Sequence, residues 1–265
     1  MQYGLNEMAF PGDDRAAAFD VAAEAGYDGV EPSLDPGDEL GDPDALADLR
    51  ALAADRDLEI PSVLSPLFWE YPLSSTETRT RDRGLERGRD LLHAADELGA
   101  ETVLVVPAVV DGAPYEEAYD NALAGVRELA TLADDLGLTL AVENVWNGFL
   151  YSPLEFRAFV ASAAEAGPVG AYFDVGNVVR FGRPEGWVPV IEDHLVAVHV
   201  KDYDTDVDTV DGFTYPLQGD VDWDAVAATL ADADYDGWVT PEVPPYETRG
   251  DRMPAQVLDN LRAVF

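Results

Sequence analysis

Residues 138–144 read LTLAVEN, 169–177 VGAYFDVGN, 195–202 LVAVHVKD and 237–243 GWVTPEV. Each is a short apolar run that stops at a side chain able to do chemistry: Glu143, Asp174, His199 and Glu242. Runs of four to eight such residues bounded by turn signals read as strands buried on both faces of a parallel sheet. Working outward, the same pattern recurs at Gln2–Asn6, Asp28–Glu31, Leu58–Leu64 and Glu101–Val106. With Leu138–Glu143, Gly170–Asp174, Leu195–Val200 and Trp238–Glu242, the expected strands number eight.

Between the strands lie Ala-rich, acidic segments with helical periodicity, among them Asp13–Ala25 and Thr76–Leu98. Gly26, Gly99 and Gly137 stand where a left-handed C-terminal cap is expected, and Pro153 follows Ser152 at a first helical position. Alternation of this kind implies parallel βαβ units. Eight units and a closing C-terminal helix favour an α/β closed (β/α)₈ TIM barrel over an open doubly wound sheet, as one domain spanning 1–265. No GxGxxG or GxxxxGK[ST] follows a strand, so dinucleotide and P-loop sites lose their main support.

The charge balance narrows the partners. Fifty-three Asp and Glu oppose 16 Lys and Arg, a formal net charge of -37, and the excess runs from Asp13 to Asp259 rather than in a tail. Such a surface repels nucleic acid and anionic membrane, and neither is expected as a partner. Every basic residue but Lys201 is Arg, and abundant Asp and Ala with almost no Lys resemble proteins of salt-accumulating halophiles. The absence of cysteine excludes disulfides, zinc-thiolate sites and thiol catalysis. The start MQYGLNEMAFPGDD has neither a basic n-region nor an apolar h-region, so a soluble cytoplasmic protein is expected, its oligomeric state left open.

In a barrel, polar groups at the C-terminal strand ends face the active-site mouth. Any one of the four carboxylate or imidazole ends could cap a helix or meet solvent; their coincidence on four successive strands points to a metal site. His199 weighs most, because His93 falls in a polar helix and His194 in a loop. Three carboxylates and an imidazole are oxygen-rich, which suits Mn²⁺ first, with Mg²⁺ or Co²⁺ as alternates. Glu143 and Glu242 lie three strands apart and are expected to reach a substrate from opposite faces, one removing a C–H proton and the other delivering one. The metal would polarise the adjacent carbonyl and stabilise the enediolate. Lys201, two residues beyond His199, shares its strand orientation and is expected in the same mouth, the alternative being a surface ion pair with Asp202 or Asp204.

With AVENVWNGFLYSPLEF, AYFDVGNVVRFGRPEGW, AVHVKDY, PLQGDVDWDAVAATL and YDGWVTPEV in view, the chain resembles the sugar phosphate isomerase/epimerase family of xylose-isomerase-like barrels. Together these stretches look like the subgroup that includes L-ribulose-5-phosphate 3-epimerase-like and hexulose-6-phosphate isomerase-like proteins. The resemblance implies metal ligands at Glu143, Asp174, His199 and Glu242, with the two glutamates also shuttling the proton, and a small-molecule sugar or sugar phosphate as substrate. Relatives acting on free ketoses often carry His three residues after the Asp ligand, where this chain has Asn177, which can hydrogen-bond a hydroxyl but cannot titrate near neutrality. Glu31 and Trp69 are further expected substrate contacts, as hydroxyl acceptor and apolar wall. Gly212, Gly219, Lys201 and Arg249 could hold a phosphate, against which the acidic stretch from Asp202 to Asp222 favours a neutral sugar. An inosose-type dehydratase on the same metal site and a non-catalytic sugar-binding barrel are the alternatives. A phosphodiesterase of the endonuclease IV kind would need more histidines and a basic groove.

Overall fold

The computed structural model describes residues 1–10, 14–35, 40–110 and 112–265. Eight strands run parallel: β1 (Gln2–Asn6), β2 (Gly29–Glu31), β3 (Ser62–Val63), β4 (Thr102–Val105), β5 (Thr139–Glu143), β6 (Val169–Asp174), β7 (Leu195–Val200) and β8 (Trp238–Pro241). Their order is β2-β1-β8-β7-β6-β5-β4-β3. The two outer strands meet through parallel bridges at Gly29 with Glu59 and Ser33 with Leu64, and Val30 N donates to Glu59 O at 2.9 Å. The sheet therefore comes round on itself, as expected of a (β/α)₈ barrel.

Strand interiors are apolar because both faces are covered. Leu104, Val105, Leu140, Val142, Ala171, Phe173, Val198 and Val239 are buried beneath the surrounding helices or inside the barrel. The helix Arg15–Ala25 starts where the Asp14 side chain accepts from Ala17 N at 3.1 Å; Asp13, the expected start, lies outside the described residues. It ends at Gly26, and the helices Thr78–Leu98 and Tyr115–Leu136 end at Gly99 and Gly137, all three glycines in the left-handed conformation.

Two regions depart from the simple alternation. β3 is only two residues long, because Pro61 lacks an N–H for the ladder and serves it through its carbonyl, accepting from Thr102 N at 3.1 Å. After β7 the chain inserts an antiparallel ribbon, Asp202–Tyr203 against Phe213–Thr214, which rises over the mouth. Asp202 anchors it, fully buried and accepting from Tyr203 N, Val221 N and Trp223 Nε1. No helix among the described residues is long and apolar enough to cross a membrane.

Candidate metal centre

Parallel register brings the polar strand ends to one level. Asp174 pairs with His199 across β6 and β7, and Thr240 of β8 pairs with His199 on its other side. Glu143 closes β5 and Asp174 closes β6, as expected. His199 lies one residue inside the end of β7, and Glu242 one residue past β8, its N–H donating to Val200 O at 3.2 Å. The donor atoms of Glu143, Asp174, His199 and Glu242 all stand within 4.8 Å of one another. At bond lengths of roughly 2.0–2.4 Å, opposite ligands of one ion are about 4–5 Å apart, so this donor set has the dimensions to hold a single divalent cation. Its three carboxylates meet one ammonium, which leaves negative charge for a cation to balance.

Each of these side chains is held by something specific. Asp174 caps the short helix Val175–Val179, its Oδ1 accepting from Asn177 N at 2.8 Å, while Oδ2 faces the Lys201 ammonium at 2.7 Å. Asn144 clamps the same residue: its Oδ1 accepts from Asp174 N at 2.9 Å and its Nδ2 donates to Asp174 O at 2.8 Å. His199 has no exposed surface; its Nδ1 lies 3.2 Å from Glu143 Oε1 and its Nε2 2.7 Å from Glu31 Oε2. Lys201 Nζ bridges from Asp174 to Glu242 and sits 5.0 Å from the centre of the Phe213 ring.

These surroundings spread the proton affinities. Burial pushes Glu143 up to about 7, with the Glu242 and Asp174 charges adding to it and the His199 contact opposing. Burial also acts upward on Glu242, but the Lys201 and His199 cations outweigh it and hold that carboxyl below its ordinary range. Asp174 is raised by burial against the pull of Lys201. Lys201 stays an ammonium because Asp174, Glu242 and Glu143 more than offset its desolvation. Glu31 is held down at about 2: burial alone would raise it, but His199, Ser62 and Tyr172 together prevail.

The expected substrate contacts fare differently. Lys201 is in the mouth, paired with Asp174 and Glu242 and not with Asp202 or Asp204. It lines a cavity of about 270 Å³ with Glu242, Met8, Phe213, Val243 and Pro244. The apolar wall there is Phe213 and Met8; Trp69, on the short helix Leu67–Glu70, is 47% exposed and takes no part in it. Glu31 corrects the expectation outright. It has no exposed surface and its two oxygens accept from Asn6, Ser62, Tyr172 and His199, leaving nothing for a sugar hydroxyl. The Asn177 amide is also engaged, donating to Asn144 O at 2.9 Å, so it ties the β5 and β6 exits together. Gly212 spends its N–H on Thr209 O, and Arg249 is exposed.

Reading the sequence missed Asn144, Tyr172, Ser62 and Asn6. Asn6 ends its strand in a polar residue just as the ligands do, a signal that was present; Ser62 and Tyr172 lie inside apolar runs and gain meaning only from Glu31 opposite them.

A family profile described as xylose isomerase-like TIM barrel matches residues 19–264. The L-ribulose-5-phosphate 3-epimerase UlaE of Salmonella heidelberg is 27% identical over 210 residues, covering 75% of this chain and 72% of that protein. The inosose dehydratase of Erwinia tasmaniensis is 27% identical over 224 residues, 69% of this chain and 73% of its own. Among solved structures, the D-allulose 3-epimerase from Methylomonas sp. in complex with D-allulose superposes with a TM-score of 0.84 at 22% identity, covering 100% of this chain and 97% of that one. With the family's profile running almost from end to end of a barrel of eight parallel strands, the chain belongs to the xylose isomerase-like TIM-barrel family.

Proposed function

We propose that this chain is a divalent-metal-dependent sugar isomerase or epimerase acting on a ketose or ketose phosphate, with Glu143 and Glu242 moving the proton. The observation that carries this is the placing of two glutamates, one at the end of β5 and one just past β8, on one converging donor set with Asp174 and His199. The relative named as an L-ribulose-5-phosphate 3-epimerase supports a ketose substrate.

A divalent ion held by Glu143, Asp174, His199 and Glu242, Mn²⁺ before Mg²⁺ or Co²⁺, would supply Lewis-acid polarisation of the substrate carbonyl. The chain's own groups do the rest. Glu242, ionised beside Lys201, takes the proton from the carbon next to the carbonyl. Glu143, three strands away, returns one to the other face, which inverts that carbon. Lys201 lines the mouth cavity and is placed to donate to a substrate oxygen. With the Gly212 N–H already engaged and the stretch from Asp202 to Asp222 acidic, an unphosphorylated sugar is better supported than a phosphate.

Incubation with ketoses in D₂O and Mn²⁺ tests the reading. Deuterium should enter at C3 for an epimerase or C1 for an isomerase, and both Glu143→Gln and Glu242→Gln should abolish it; exchange retained in both variants removes the proposed bases. The inosose dehydratase relative keeps a second reading alive. Dehydration would create an ultraviolet-absorbing enone or dione, which epimerisation does not.

A further inference from the structure

We propose that Glu31 is a positioning residue that fixes His199 as its Nε2–H tautomer, so that the imidazole offers Nδ1, and not Nε2, to the cation shared with Glu143, Asp174 and Glu242. This rests on the metal reading above and adds to it which ring nitrogen binds and what compels it.

The argument is one of donors and acceptors. A carboxylate accepts at about four lone-pair positions and donates nothing. Glu31 fills them all: Oε1 accepts from Ser62 Oγ at 2.6 Å and Tyr172 OH at 2.6 Å, and Oε2 accepts from Asn6 Nδ2 at 2.8 Å and lies 2.7 Å from His199 Nε2. The orientation of Asn6 is fixed in turn, because its Oδ1 accepts from Met8 N at 2.8 Å and so turns the NH₂ towards Glu31. An acceptor-only neighbour requires the proton to be on Nε2. A ring that binds a cation is neutral, and its lone pair is then on Nδ1, the nitrogen 3.2 Å from Glu143.

The ring cannot turn over to reverse the assignment. His199 and Glu31 are both fully buried, and the Tyr172 ring packs 4.3 Å from the imidazole at 51°. The residues concerned come from β1, β2, β3, β6 and β7, so the barrel itself holds the ring. Carboxylates that accept from the far nitrogen of a ligating histidine fix its orientation and raise its basicity, and their loss typically weakens metal binding about 10- to 100-fold.

The chain has only three histidines, so long-range ¹H–¹⁵N spectra of ¹⁵N-histidine-labelled protein, with His93→Gln and His194→Gln for assignment, read His199 directly. Zn²⁺ is the diamagnetic probe. The expected result is a protonated Nε2 with and without Zn²⁺, and a metal-shifted Nδ1 with it. Calorimetric titration with Mn²⁺ should show Glu31→Gln binding about 10- to 100-fold more weakly than wild type, with an unchanged far-ultraviolet spectrum. A bare Nε2 with the proton on Nδ1, a metal on Nε2, or a folded Glu31→Gln with wild-type Mn²⁺ affinity overturns the positioning role. A wild-type chain with Nε2 protonated that binds neither ion overturns the metal reading instead, and leaves Glu31 no cation to position.

Discussion

Lys201 is where the electrostatics of single residues can be tested most directly. Its side chain is 9% exposed, and its ammonium lies between two carboxylates that would otherwise face each other. Removing one partner of a buried ion group leaves uncompensated charge, at a cost on the order of 3–5 kcal/mol. Lys201→Met should therefore lower the melting temperature of EDTA-treated protein sharply, and Mn²⁺ should restore more of the loss than it adds to wild type, because the added cation takes over the neutralising role. Equal shifts with and without Mn²⁺ would count against this. Glu31 gives a prediction with a definite sign. Its carboxyl is depressed from 4.5 to about 2 in the folded chain, so the stability it contributes is present above the unfolded value and is lost as pH falls through that window. Denaturant melts of EDTA-treated wild type and Glu31→Gln should differ most at pH 7, and the gap should narrow by about 2 kcal/mol by pH 3. A constant gap would mean that the charge of Glu31 does not matter. The four clustered side chains were legible in the sequence because each interrupts an apolar run. The task of Glu31 was not, since a carboxylate at a strand end looks the same whether it faces a substrate or a histidine 168 positions away.

At the scale of elements, seven of the eight strands were legible to within a residue or so at each end, because burial on both faces forces an unbroken apolar run. The exception was β3, where Leu58–Leu64 has the composition of a strand but Pro61 breaks the ladder and leaves two paired residues and isolated bridges. The ribbon over the mouth escaped notice because two-residue strands carry no periodicity. Closure between β2 and β3 thus hangs on few bonds, and Gly29 is at its centre. A Cβ there would stand 2.7 Å from Glu59 O, the carbonyl that receives Val30 N, and 3.0 Å from the Trp238 ring. Backbone cannot yield as a flexible side chain can. Gly29→Ala should destabilise the chain by about 1–3 kcal/mol in chemical denaturation, the range found for overpacked cores. Because Glu31 is two residues along the same strand, it should also weaken Mn²⁺ binding in the folded variant. Destabilisation with unaltered Mn²⁺ affinity would show that strand closure and ligand placement are separable.

For the whole molecule the governing quantity is the net charge of -37. Even if every Lys and Arg were paired, 37 carboxylates would have no basic partner, and the pairs that form are chiefly exposed ones such as Arg83 with Glu86 and Arg87 with Asp90, worth little each. Compaction brings those carboxylates together, so repulsion opposes folding over a distance set by the Debye length, roughly 30 Å at 0.01 M salt and 3 Å at 1 M. In dilute buffer most of the surface feels most of the rest; in molar salt each carboxylate feels only its nearest neighbours. The melting temperature should accordingly climb steeply over the first few hundred millimolar KCl and flatten by about 1–2 M as screening saturates. Sucrose strengthens burial without screening charge and separates the two causes. A rise in KCl that sucrose in dilute buffer cannot reproduce assigns the effect to the acidic surface, whereas a melting temperature unchanged between dilute buffer and 2 M KCl would mean that the surface charge is already balanced without salt.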